Sequence, residues 1–162
     1  MPLIKNNKII DNIWTYVPDD APVGDESHII LGLERFLAER LQQSSSNKAL
    51  GVRLAPADDP EKLRPYLDEL DLIEVDFPKY ADGRGFSQAQ LLRRRYAYTG
   101  ELRAVGEVLR DQILYMHRSG FDTFSTTRAD LSDVMAALDE FSLSYQKAAD
   151  TREAVFGIRQ KR

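Results

Sequence analysis

Apolar positions change their spacing several times along this chain, and each change marks an element. Leu3, Ile4, Ile9 and Ile10 flank Asn6-Asn7. Two extended runs about a pair of residues that tolerate positive φ predict an N-terminal β-hairpin. Residues 13–17 predict another short extended piece. Residues 19–25, preceded by Pro18 and containing Pro22 and Gly24, predict a loop. From there strands and helices alternate. Residues 28–31 read as a strand, and Leu33, Phe36, Leu37 and Leu41 fall at helical spacing until Ser44-Ser45-Ser46-Asn47 breaks it. Residues 49–55 are the next strand. Asp59 before Pro60 is an N-cap with proline at the first helical position, ahead of a stripe of Leu63, Tyr66, Leu67 and Leu70 kinked by Pro65.

Residues 72–77 form a further strand. Ser87 with Gln90 three residues on predicts a capping box opening the helix of Leu91 and Leu92. Residues 101–105 are a strand, followed by a helix carrying Leu109, Ile113 and Met116 and capped by Gly120. Residues 121–124 are the last strand. Asp130 caps a long helix with Leu131, Val134, Leu138, Phe141 and Tyr145 on one face.

Alternation of this kind implies βαβ units and a mostly parallel sheet with right-handed crossovers. The fold class is therefore α/β, with about five βα units and the hairpin at one edge. Five units cannot close an eight-stranded barrel, which leaves an open doubly wound sheet or a truncated barrel-like one. Residues 1–150 make a single domain, and 151–162 a flexible tail.

Charge breaks the strands in a telling way. Arg53, Glu74, Asp76, Arg103 and Asp122 interrupt the four best strands, and alternation by two puts them on one sheet face. Buried charges must be paired or hydrogen-bonded, so this face is either a set of internal Arg–carboxylate pairs or a polar pocket. Composition excludes more than it indicates. With 22 basic and 26 acidic side chains interspersed and a net charge of −4, there is no drive toward nucleic acid or an anionic membrane. No apolar run approaches the roughly 20 residues that span a bilayer, and residues 1–12 lack the pattern of a signal peptide, so a cytoplasmic location is expected. Cysteine is absent, so the chain offers no thiolate nucleophile or iron–sulfur ligand of its own.

The longest loop at the carboxyl end of a strand, where α/β proteins bind ligands, is Asp82-Gly83-Arg84-Gly85-Phe86-Ser87 with the residues before it. Gly83 and Gly85 permit close backbone approach, Ser87 would open a helix whose N–H groups favour an anion, and Arg84 would add a bidentate fork. Asp82 would orient Arg84, with Asp76 and Arg103 in support. The expected ligand is a small oxyanion such as sulfite, sulfate or phosphate. The same residues are also plain turn chemistry, and neither a dinucleotide fingerprint nor a P-loop is present. Arg93-Arg94-Arg95 looks like a basic patch, but successive helix positions point about 100° apart, so the three cannot all face one ligand, and a solvated helix with one arginine reaching a neighbour is expected. Tyr80 and Phe86 flank the loop as stacking or packing aromatics, and Trp14, Tyr96 and Tyr98 are the remaining ones. His28 and His117 stand on different elements, and no metal site is expected.

The runs Asp76-Phe77-Pro78-Lys79-Tyr80-Ala81-Asp82-Gly83-Arg84-Gly85-Phe86-Ser87-Gln88-Ala89, Gly100 through Gln112, and Met116-His117-Arg118-Ser119-Gly120-Phe121-Asp122 resemble the bacterial domain-of-unknown-function family 934. Its members are described as oxidoreductases of assimilatory sulfite reduction, on the strength of gene neighbourhood. The resemblance implies a cytoplasmic accessory protein of sulfur assimilation that binds sulfite, a related anion, or sulfite reductase itself. It carries no catalytic residues over. An oxidoreductase using a bound flavin or nicotinamide, and a purely structural partner or homo-oligomer, are the alternatives.

Overall fold

Hydrogen bonding joins eight strands into one sheet: β1 Leu3–Lys5, β2 Lys8–Ile10, β3 Thr15–Tyr16, β4 His28–Gly32, β5 Ala49–Leu54, β6 Leu72–Phe77, β7 Glu101–Gly106 and β8 Thr123–Ser125. Between them lie α1 Leu33–Arg40, a 3₁₀ helix Pro60–Glu69, α2 Arg84–Gln90 running into a π turn Leu91–Arg95, and α3 Arg110–Ser119. The computed structural model describes residues 3–40, 48–125, 135–138 and 147–149.

The spatial order is β2-β1-β8-β7-β6-β5-β4-β3. Strands β3 to β8 are all parallel and adjacent in chain order, while β1 pairs antiparallel with both β2 and β8. This excludes the doubly wound alternative. With right-handed crossovers and no reversal of strand order, the helices connecting the described strands fall on one side of the sheet, and the described strands form no switch-point crevice. The result is a curled half-barrel, the truncated barrel-like alternative.

One core fills the space between sheet and helices. Val52, Leu54, Ile73, Val75, Phe77, Leu102, Ala104 and Phe124 meet Phe36 of α1, Leu63 of the 3₁₀ helix, Ala89 of α2 and Ile113 and Met116 of α3. Asp59 caps the 3₁₀ helix by accepting from the Glu61 N–H at 2.9 Å, and Pro60 and Pro65 keep that segment from α geometry. Gly120 ends α3 in the left-handed region, φ +111°.

The N-terminal segment closes the open side. Asn6 and Asn7, at φ +50° and +56°, turn β1 into β2 at one edge of the sheet. Five residue steps later the chain is in β3 at the opposite edge. Those steps reach at most about 18 Å, whereas eight flat strands would hold their edges about 34 Å apart. The sheet must curl through roughly half a turn for residues 11–14 to bridge it.

Several boundaries differ from the sequence reading. Four helical crossovers link β4 to β8; the helix expected after β8, which would complete the fifth unit, is described only at 135–138. The last strand begins at Thr123, so Asp122 sits in the turn before it and Thr123 pairs with Arg103. The break at 44–47, the cap at Asp130, most of the long helix after it and the 151–162 tail lie outside the described residues. Within that helix, 135–138 are helical and Leu138 joins the core. No helix among the described residues is long and apolar enough to cross a membrane.

Candidate functional site

The loop from β6 to α2 is built differently from its sequence pattern. The helix begins at Arg84, with Gly83 as its N-cap, so Ser87 lies inside it and does not cap it. The helix starts early because Asp82 closes a tight turn: its Oδ1 accepts from the Arg84 backbone N–H at 3.1 Å. The same carboxylate takes the Arg84 fork, Nε to Oδ1 at 3.0 Å and Nη2 to Oδ2 at 2.6 Å. Hydrogen bonds from Arg84 hold the Asp82 carboxyl down to about 2, so it is ionised at neutral pH. Asp82 therefore does orient Arg84, whose side chain is 61% exposed, but only the outer edge of the guanidinium remains for a ligand.

Gly85 serves packing rather than ligand approach. A Cβ there would lie 2.5 Å from Phe77 Cζ and 2.9 Å from Val75 Cγ1, so its absence lets α2 sit on β6. Gly83 faces open space. Phe86 packs edge-on against Phe77, centroids 5.4 Å apart. Tyr80 stays 55% exposed, while its backbone is clamped: its N–H donates to Glu107 Oε2 at 3.1 Å, and its carbonyl accepts from Gln112 Nε2 at 2.8 Å. Gly106, at φ +94°, makes the turn that brings Glu107 there; a Cβ would strike the Phe77 carbonyl.

On the other sheet face, strand register sets Arg53 beside Glu74, Glu74 beside Arg103 and Arg103 beside Thr123. The charges form a ladder across the strands. Lys5 Nζ donates to Glu101 Oε2 at 2.6 Å; Arg103 donates to Glu101 Oε1 through Nη2 at 2.8 Å and to Glu74 Oε1 through Nη1 at 3.3 Å; Arg53 Nη2 pairs with Glu74 Oε2 at 2.7 Å. Burial pushes the Glu101 carboxyl up, but the bonds from Lys5 and Arg103 outweigh it and hold the group below its ordinary range.

The two ends of the ladder differ. Arg103 is 2% exposed, and the bridging segment seals it: Asn12 Oδ1 accepts from its Nη1 at 3.0 Å and from the Trp14 N–H at 3.1 Å. Arg103 is thus closed to an incoming ligand. Arg53 is 29% exposed, and its guanidinium stacks 3.8 Å from the centre of the Tyr16 ring. Asp76 stands beyond it, half-buried, and no hydrogen bond reaches its carboxyl among the described residues. Burial raises the Asp76 pKa, against the charge of Arg53 and together with that of Glu74.

The structure thus separates the predicted residues. Asp82, Gly83, Arg84, Gly85 and Ser87 share the rim, with Arg84 gripped by Asp82. Asp76 lies at the open end of the inner face and Arg103 at its sealed end. Arg53 and Tyr16 were missed as a site. Arg53 was visible as a charge interrupting a strand, but nothing in residues 11–16 signalled that they cross to it. Arg93 is the one arginine of its run that reaches inward: it donates from Nε to the Gly120 carbonyl at 2.9 Å, from Nη1 to the Gly100 carbonyl at 2.9 Å, and from Nη2 to Asp122. His28 stacks edge-on with Trp14, and His117 Nδ1 lies 3.3 Å from the Phe121 carbonyl. Among the described residues no three His, Asp or Glu side chains converge as a metal site.

No curated protein matches the chain. The family described as "Bacterial protein of unknown function (DUF934)" matches residues 51–156. That span runs from Gly51 within β5 through β8 and contains both ends of the rim loop and Arg53, Glu74, Asp76 and Arg103 of the inner face. The match covers well over half of the sequence, and the chain belongs to this family of bacterial proteins.

Proposed function

We propose that the protein is a cytoplasmic accessory of assimilatory sulfite reduction that binds a small oxyanion, sulfite foremost, at the carboxyl end of its central strands. One observation carries the reading. Two arginines at that end, Arg53 near the close of β5 and Arg84 just after β6, are each held by a carboxylate and each keep an exposed edge. A guanidinium fixed in this way loses little freedom on gripping an oxyanion. The loop of Asp82, Gly83, Arg84, Gly85 and Ser87 is the outer rim. The resemblance to sulfite-reduction proteins supplies the choice of anion.

A second reading, docking onto sulfite reductase, is favoured by the clamped loop. Tyr80 and Tyr115 are 55% and 64% exposed, and Gln112, which grips the Tyr80 carbonyl, lies one helical turn before Tyr115. Exposed tyrosines on a rigid support are common interface anchors.

A thermal-shift panel of sulfite, sulfate, phosphate, flavins and nicotinamide nucleotides tests the anion reading. A ligand at 100 times its Kd adds roughly 2.7 kcal/mol. Stabilisation by the oxyanions is the expected outcome. Stabilisation by a flavin or nicotinamide alone would replace the reading with the oxidoreductase one, and a flat panel with co-sedimentation of the reductase would replace it with docking.

A further inference from the structure

The ladder on the inner face is unbalanced. Three cations, Lys5, Arg103 and Arg53, share two carboxylates, Glu101 and Glu74. The excess positive charge is not open to a ligand at the sealed end, where Arg103 is 2% exposed and already donates to Glu101, Glu74 and Asn12. It is left at the Arg53 end. There Nε and Nη2 both bind Glu74 Oε2, and Nη1 makes no hydrogen bond among the described residues. Tyr16 holds the guanidinium plane from one side. The balancing charge at that end is Asp76, two residues beyond Glu74 on the same face, and no donor grips it.

We propose that Arg53 and Asp76 form a proton-coupled anion site at the open end of the inner face, in which an oxyanion takes Arg53 Nη1 while Asp76 takes up one proton. This rests on the oxyanion reading above and assigns the residues that carry the affinity. Ionised Asp76 neutralises the ladder and repels an anion. Protonated Asp76 restores the excess charge of the ladder and offers an O–H donor to the same ligand. The bookkeeping closes: one anion and one proton enter together, and no bond to carbon, sulfur or phosphorus forms or breaks. The groups facing Asp76 are Arg53 from β5 and Glu74 from its own strand. Strand β7 sets Val105 and Gly106 alongside, neither of them charged. Burial favours the neutral carboxyl and the Arg53 charge opposes it, so protonation falls to the arriving anion to complete.

Sulfate is the probe, because its charge stays constant from pH 4 to 8, whereas sulfite and phosphate titrate there. Calorimetry on the full chain, in buffers of different ionisation enthalpy, reads affinity and proton uptake together. The expected result is uptake approaching one proton per sulfate, with affinity falling by about tenfold per pH unit once Asp76 is ionised in the free protein. Asp76→Asn should bind sulfate with no pH dependence, at the affinity the unmodified protein reaches at low pH. Arg53→Met should weaken binding by about tenfold or more, and by more than Arg84→Met does. Asp76→Asn breaks no hydrogen bond, so it carries the test even if Arg53→Met folds poorly. A sulfate affinity that is flat with pH, a slope that survives Asp76→Asn, or binding lost with Arg84 rather than Arg53 would each overturn the site while leaving the oxyanion reading standing. Failure of sulfate and sulfite to bind at all would remove both.

Discussion

Gly83 and Gly85 are two positions apart and have opposite reasons to be glycine. Gly85 has no room for a methyl group against Phe77 and Val75, so Gly85→Ala should lower stability by about 1–3 kcal/mol through overpacking. Gly83 has open space and φ −81°, so Gly83→Ala should be neutral or add about 0.5 kcal/mol by restricting the unfolded chain. Urea denaturation of both variants checks the pair; equal effects would mean that the helix does not seat on β6 as described. Arg93 is the second decisive residue. Its bonds to Gly120, Gly100 and Asp122 tie the end of α3 to the turn after the π segment and to the start of β8. Arg93→Ala should cost about 2–3 kcal/mol, seen as a lower urea midpoint at unchanged slope, whereas exposed Arg94 and Arg95 should tolerate alanine. The sequence indicated that the three arginines could not all face one ligand, with one expected to reach a neighbour. It could not show which, because the π turn re-aims the run.

At the scale of elements, the ladder across β5, β6 and β7 behaves as a unit. Glu74 is 2% exposed and its two oxygens serve two arginines. Glu74→Ala would leave both guanidinium groups short of a partner and should cost about 3–5 kcal/mol, measured by chemical denaturation. That three successive strands carry charge on one face was legible from period-two alternation. The inward-pointing Arg–carboxylate pairs follow from it, because such charges must find each other. Helix starts were less legible. Asp59-Pro60 signalled its own cap correctly, since both groups act locally. Ser87 misled, because the capping-box pattern competed with an Asx turn at Asp82 that started the helix four residues sooner. Asp122 was placed in a strand on alternation alone; its carboxylate instead accepts from the Leu102 N–H at 2.9 Å and from Arg93, contacts that hold it in the preceding turn.

Asp76 gives the whole molecule a pH dependence opposite in sign to that of Glu101. The folded pKa of Asp76 is raised, mainly by burial, so the folded state binds more protons than the unfolded one in the window between the two pKa values. Stability from this group is therefore present at pH values below the ordinary carboxylate pKa and is lost as pH rises through the folded value. Asp76→Asn should raise the melting temperature at pH 7, and that gain should vanish below the ordinary carboxylate range. A gain that is equal at both ends would mean that Asp76 is not desolvated. Sheet order is also a property of this scale, and the sequence left it open. Alternating strands and helices fit a doubly wound sheet and a half-barrel equally well; strand adjacency is decided by which pairings exclude most water, not by local pattern. The bridge from β2 to β3 was invisible for the same reason.

That bridge separates the order of synthesis from the order of assembly. Leu3 pairs with Ser125, and Thr15 pairs with Ile29. Strand β1, paired locally with β2, thus waits for the last described strand before it gains its second neighbour, and the hairpin can reach its place only once β4 to β8 have curled. Pairings this distant in sequence make closure late and slow. Until closure, both edges of the nascent sheet and the charged inner face stand open to water. The half-barrel should therefore refold in two kinetic phases, with quenching of Trp14 against His28 confined to the slower one.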